Sequence, residues 1–130
     1  MIAADTNVLA RAILEDDHHQ TKTAKTFLEK HCQNADLYLS PFMLLELAWI
    51  LKGKGIKRQE IAVILEKIVH ADGVSVGLKN IVVAAIDLYS KNNISFADCL
   101  ITVDATISVS AKTATFDAAL RKVSLHCVAP

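Results

Sequence analysis

The chain lacks most of the features that announce a stapled, anchored or strongly charged protein. Its cysteines, Cys32, Cys99 and Cys127, are three in number and form no CxxC pair. That argues against a structural zinc knuckle and points to a reducing compartment. No net charge remains, because 14 basic residues are balanced by 14 acidic ones. A neutral chain is not a general binder of polyanions, so any nucleic-acid contact must come from a local patch. No apolar run reaches the ~18 residues of a membrane span; Glu46 and Asp104 interrupt the two best candidates. The amino terminus offers no basic lead into an apolar stretch, since Asp5 arrives at once. The expectation is a cytoplasmic protein with no signal peptide. There is also no GxGxxG, GxxxxGK[ST] or GxSxG, which argues against nucleotide binding and serine hydrolysis.

What is present reads as one globular domain spanning residues 1–130, with 52% hydrophobic and 22% charged residues. The apolar content exceeds what an ordinary small core needs, which suggests a deeply buried sheet or an interface with another chain. Ile2-Ala3-Ala4 reads as a strand running straight into a helix through Val8, Leu9, Ala12 and Ile13. Glu15 to Gln20 is polar and turn-like, and a second helix starts at Thr21. Leu37-Tyr38-Leu39 is a short strand. Ser40-Pro41 then opens a helix, with Ser40 as cap, that stops at Gly53 and Gly55. Ile61 to Ile68 is helical, Val74-Ser75-Val76 extended, and Leu78 to Tyr89 helical again. Ser95-Phe96-Ala97-Asp98 has the form of a capping box opening a helix to about Ile107. A strand at Ala111–Ala114, a helix from Phe116 to Lys122 and a strand from Leu125 to Val128 complete the chain. This alternation defines an α/β class with a mostly parallel sheet.

In such a sheet, ligands gather where strands end and helices begin. Asp5, Asp98 and Asp117 all fall at such places. Taken singly, each is explained first as a helix cap or first-turn acid. Glu46 is different, for its neighbours three and four positions away are Phe42, Met43, Trp49 and Ile50. A carboxylate amid that surface is expected to be buried, and an unpaired buried charge costs several kcal/mol. It then needs a proton, a metal or a basic partner from elsewhere, such as Arg11. Several carboxylates at one rim repel unless a cation neutralises them, and oxygen-only ligands select Mg²⁺ or Mn²⁺ over zinc. The five histidines do not compete: His18 and His19 are adjacent in a polar turn, and His31, His70 and His126 are isolated.

Four segments taken together resemble a known family. Asp5-Thr6-Asn7-Val8-Leu9, Leu45-Glu46-Leu47 before Trp49, Phe96-Ala97-Asp98-Cys99-Leu100-Ile101 and Thr115-Phe116-Asp117 look like a PIN domain of the VapC-like toxin type. The resemblance implies a three-layer α/β/α sandwich and a Mg²⁺- or Mn²⁺-dependent endoribonuclease, the toxin of a toxin–antitoxin pair. It makes Asp5, Glu46, Asp98 and Asp117 the metal-binding and catalytic carboxylates. Thr115 matches a hydroxyl that orients a ligand or water, and Thr6 and Asn7 match the polar residues after the first Asp.

The same resemblance implies one or two ions that activate water for in-line attack on an RNA phosphate, leaving 5′-phosphate and 3′-hydroxyl ends. It also implies a cognate antitoxin and a homodimer. For the RNA backbone, Lys52, Lys54, Lys57 and Arg58 place four basic residues in seven, and Arg11, Lys112 and Arg121 are lesser candidates; an ordinary solvated turn explains the cluster equally well. Two other readings stay open: a PIN-type nuclease acting on DNA or ribosomal RNA precursors, and a non-catalytic interaction module that keeps the fold.

Overall fold

The computed structural model describes residues 1–124 and 126–130 and divides into two compact units, Met1–Lys79 and Asn80–Pro130. The first carries β1 (Ile2–Ala3), α1 (Thr6–Leu14), α2 (His18–Gln33), β2 (Leu37–Leu39), α3 (Pro41–Gly53), α4 (Arg58–Val69) and β3 (Val74–Val76). Its strands pair in the order β1-β2-β3, all parallel, with Ile2 opposite Leu37 and Leu37 opposite Val74. The second carries α5 (Lys79–Lys91), which starts on the last residue of the first unit, then α6 (Phe96–Val109), β4 (Thr113–Ala114), α7 (Ala118–Val123) and β5 (Cys127–Val128). There β4 and β5 pair in parallel. The α/β reading with parallel strands is thus borne out, as a three-stranded and a two-stranded sheet. Among the described residues no helix is long and apolar enough to cross a membrane.

Five of the helix starts have an identifiable chemical cause. Asp5, Asp17, Ser40, Ser95 and Asp117 stand at N-caps, and each side chain accepts a backbone N–H of the first turn. Asp17 moves the second helix three residues ahead of the expected Thr21. His18 and His19 therefore open α2 and do not lie in a turn. The strand expected at Ala111–Ala114 shrinks to Thr113–Ala114, and the last helix starts at Ala118 because Asp117 caps it from outside. Leu125, where the last strand was expected to begin, lies outside the described residues; pairing is seen for Cys127 and Val128.

Leu37 and Leu39 on β2, Leu44, Leu47 and Leu51 on α3, and Ile61, Leu65 and Val69 on α4 are almost wholly buried. In the second unit Ile81, Val82, Ala85, Ile86 and Tyr89 line the buried side of α5, and Cys99 and Thr102 that of α6. The hydroxyl of Thr102 lies 3.7 Å from the Cys127 sulfur, joining α6 to β5. All three cysteines are free thiols. Burial raises the ionisation point of the Cys32 thiol, which makes it a poor nucleophile near neutrality.

Two local features yield predictions. Gly73, in the turn before β3, has φ +80, and a Cβ there would stand 1.9 Å from the Cys32 carbonyl oxygen. Both the left-handed backbone and that rigid neighbour oppose any side chain. Gly73→Ala should cost at least about 2 kcal/mol in urea unfolding; a loss below a few tenths would contradict the geometry. At the end of α1, the Glu15 carboxylate meets the Lys25 ammonium of α2. Hydrogen bonding to Lys25, then its charge, holds the Glu15 carboxyl below the usual glutamate range. A lowered folded-state value means this pairing favours folding above the unfolded-state value and fades as pH falls through the folded one. Carboxyl-carbon NMR should place the Glu15 titration below that of an ordinary glutamate. Lys25→Gln should bring it back.

Candidate metal centre

Because β1, β2 and β3 are parallel, their carboxyl ends share one edge, and α1 and α3 begin there. Asp5 follows β1 after a single residue and caps α1, its Oδ1 accepting the Asn7 N–H at 3.2 Å. Thr6, the first residue of α1, is only 3% exposed, and its hydroxyl donates to Glu46 Oε2 at 3.0 Å. Glu46 stands in the second turn of α3, so this bond joins the start of α1 to the side of α3. Asp5 and Glu46 are thereby presented by adjoining helices at the edge where ligands collect in parallel sheets.

The expectation that Glu46 is buried is not met: it is exposed. The core face of α3 is Met43, Leu44, Leu47, Ala48 and Leu51. Positions 42, 46 and 49 form the opposite stripe, where Phe42 is 79% and Trp49 75% exposed. A helix apolar on every side does not reveal which stripe faces inward, and here the carboxylate shares the outer one with two aromatic rings. Nor is Arg11 its counter-ion, for that guanidinium pairs with Asp16 at 3.0 Å.

In the second unit, Ser95 caps α6 through the Asp98 N–H at 3.1 Å, which places half-buried Asp98 in the first turn. This is the half of the expected capping box in which the cap hydroxyl accepts. Asp117 caps α7, its Oδ1 accepting from Ala119 N–H at 2.9 Å and Leu120 N–H at 3.3 Å. Thr115 Oγ1 accepts the Asp117 N–H at 3.0 Å, so the turn-closing role of this hydroxyl is explicit. Sequence reasoning missed the part played by Arg121. It is half-buried and donates to the Thr115 carbonyl at 2.7 Å, and so is committed to this turn, not displayed to a ligand. A cation four residues past an N-cap Asp was the available signal.

Among the described residues, none of Asp5, Glu46, Asp98 and Asp117 forms an ion pair with Lys, Arg or His. Their charges are left to water or to a ligand. Within neither unit do three His, Cys, Asp or Glu side chains, among the described residues, gather into a metal-holding group. Asp5 and Glu46 belong to one unit, Asp98 and Asp117 to the other. The donors are carboxylate oxygens with threonine hydroxyls beside them, a chemistry that fits a hard divalent cation and not zinc.

Of the basic residues, Lys52, Lys54 and Lys57 are exposed and Arg58 half-buried. They occupy the last turn of α3 and the start of α4, the far end of α3 from its Ser40 cap. Lys52 stands six residues beyond Glu46, roughly 9 Å along the helix axis.

Parallel strands with capped helices on their carboxyl edge, and an acid at one of those caps, describe an α/β domain that places a carboxylate where ligands collect. The chain belongs to the PIN domain family, whose sequence model matches residues 2–125. It is similar, at 29% identity over 128 residues, to a VapC ribonuclease of Aquifex aeolicus (strain VF5). The alignment takes in 97% of this chain and 94% of that protein. No solved structure matches the chain.

The Thr6–Glu46 bond gives a direct test of how the site is assembled. Thr6→Val keeps shape but removes the donor, and should lower stability by about 1 kcal/mol, since exposed Glu46 can turn to water. Thr6→Ser should recover most of the loss. Chemical denaturation of both variants checks it, and equal losses for Val and Ser would refute the hydrogen bond.

Proposed function

We propose that the protein is an endoribonuclease of the toxin type that requires a divalent cation, Mg²⁺ or Mn²⁺. The observation that carries this is the set of four unpaired carboxylates at helix starts and on α3, within a chain that belongs to the PIN family along nearly its whole length. Asp5, Glu46, Asp98 and Asp117 are its metal-binding and catalytic carboxylates. A bound cation would supply charge neutralisation at an RNA phosphate and a water of lowered pKa.

The chain's own residues have separate tasks. Asp5 and Asp98 are the direct ligands. Glu46 acts directly or through a water, aimed by the Thr6 hydroxyl. Asp117 contributes from its turn, which Thr115 closes, and Asn7 fixes Asp5 through its backbone N–H. Lys52, Lys54, Lys57 and Arg58 draw the RNA backbone toward α3. Their replacement should weaken binding to all sequences alike and flatten its salt dependence. Arg11, engaged with Asp16, is a weaker contributor.

The name of the Aquifex aeolicus relative supports RNA as the substrate. A cognate antitoxin and a second copy of this chain complete the proposed assembly, which acts in the cytoplasm. Phe42 and Trp49, large and exposed on α3, support a partner of some kind. Light scattering at micromolar concentration should give the mass of a dimer; a monomer would remove that part of the proposal.

The caps permit a clean test of charge against structure. Asn caps a helix as well as Asp does, so Asp5→Asn leaves α1 intact while removing the negative charge. Cleavage of an RNA pool should require Mn²⁺ or Mg²⁺ in the wild type and fall at least about a hundredfold in Asp5→Asn and Asp98→Asn. The unfolding midpoint of the metal-free Asp5→Asn protein should barely move. Equal cleavage by wild type and variants, with or without metal, would contradict the proposal.

A further inference from the structure

Arg121 sits at the centre of a closed network in the second unit. Its Nη1 donates to the Thr115 carbonyl at 2.7 Å, the shortest bond in the turn. Its backbone N–H donates to the Asp117 carbonyl at 3.1 Å. Thr115 is also fastened to β5, its N–H donating to the Val128 carbonyl at 2.9 Å, while its hydroxyl receives the Asp117 N–H. The chain on both sides of Asp117 is therefore pinned, in front by Thr115 and behind by Arg121.

The consequence falls on the two oxygens of Asp117. Oδ1 accepts two backbone N–H groups of α7 and is occupied by capping. Oδ2 has neither bond. Arg121 spends its charge-assisted donor on a carbonyl and forms no ion pair with Asp117, although it lies one helical turn away. A guanidinium placed there would neutralise the carboxylate had it turned toward it. Directed instead at Thr115, it holds the turn while leaving Oδ2 uncompensated.

We infer that Arg121 is a positioning residue that locks the Thr115–Asp117 turn so that Asp117 offers Oδ2 alone, as a single-oxygen ligand, to a divalent cation. The inference rests on the proposed role of Asp117 in the cation site. Partners that orient a ligand typically affect metal affinity by about 10- to 100-fold when removed.

The test uses the full chain and Mn²⁺ alone as the probe, with the dissociation constant read by calorimetry and the unfolding midpoint of the metal-free protein read in parallel. Asp117→Asn keeps the cap and should weaken Mn²⁺ binding. Arg121→Gln should weaken it about tenfold. Combining the two should give little more than Asp117→Asn alone, since the clamp acts only through that carboxylate. Arg121→Lys, which keeps a cationic donor but loses the fork, should fall between wild type and Arg121→Gln and guards against a glutamine variant that folds poorly. A purely structural arginine would lower the midpoint and leave Mn²⁺ affinity within twofold of wild type. That result would overturn the inference, as would losses that simply add. Failure of the underlying reading looks different: Asp117→Asn would then bind Mn²⁺ as tightly as the wild type.

Discussion

Carboxylates without cationic partners in the protein are the constraint from which the chemistry follows. A charge at a helix start is favoured by the exposed N–H groups and the helix dipole, but that accounts for one negative charge at a time. Asp5 and Asp117 each spend one oxygen on capping and keep a second. Glu46 is steadied by a neutral hydroxyl, which fixes direction without cancelling charge. Meanwhile Arg11, the basic residue nearest Asp5 in sequence, pairs with Asp16, and Arg121, four residues past Asp117, is spent on a carbonyl. Orientation is supplied by neutral donors and neutralisation is withheld, which leaves an incoming cation as the group that gains most from the arrangement.

The same division explains why the helix caps matter to function. At the edge shared by three parallel strands, Asp5 starts α1 and Ser40 starts α3, and the Thr6–Glu46 bond ties one to the other. A residue that caps has its backbone held by the helix it opens, so its carboxylate is placed with little freedom left to lose. Capping and ligation are therefore compatible roles for one side chain, and showing the first does not exclude the second.

Much of the fold could be read from residue patterns because the signals were local. Ser40-Pro41, Ser95 through Asp98, Leu37-Tyr38-Leu39 and Val74-Ser75-Val76 each specify their element within a few residues, and each is found where expected. The start of α2 was missed because Asp17 as a cap outweighs the apolar period that begins further on. Glu46 was misread for a related reason. Apolar neighbours on a helix imply burial only if they face the core, and Phe42 and Trp49 face away from it. Which stripe of α3 turns inward is decided by packing against α1 and α4, information no single segment contains. Arg121 was taken for a surface cation because its acceptor is a backbone carbonyl, and carbonyls have no signature in sequence.

The central claim is that the carboxylates left without cationic partners, at Asp5, Glu46, Asp98 and Asp117, are where a divalent cation binds. Substoichiometric Mn²⁺ added to isotope-labelled protein, with amide signals followed by NMR, tests this directly, because paramagnetic broadening falls off steeply with distance from the ion. The prediction is that the amides of Thr6, Glu46, Asp98 and Asp117 broaden at low Mn²⁺ ratios, before other acidic positions such as Asp87 or Asp104. Broadening spread evenly over the acidic surface, or absent at these four positions, would contradict it.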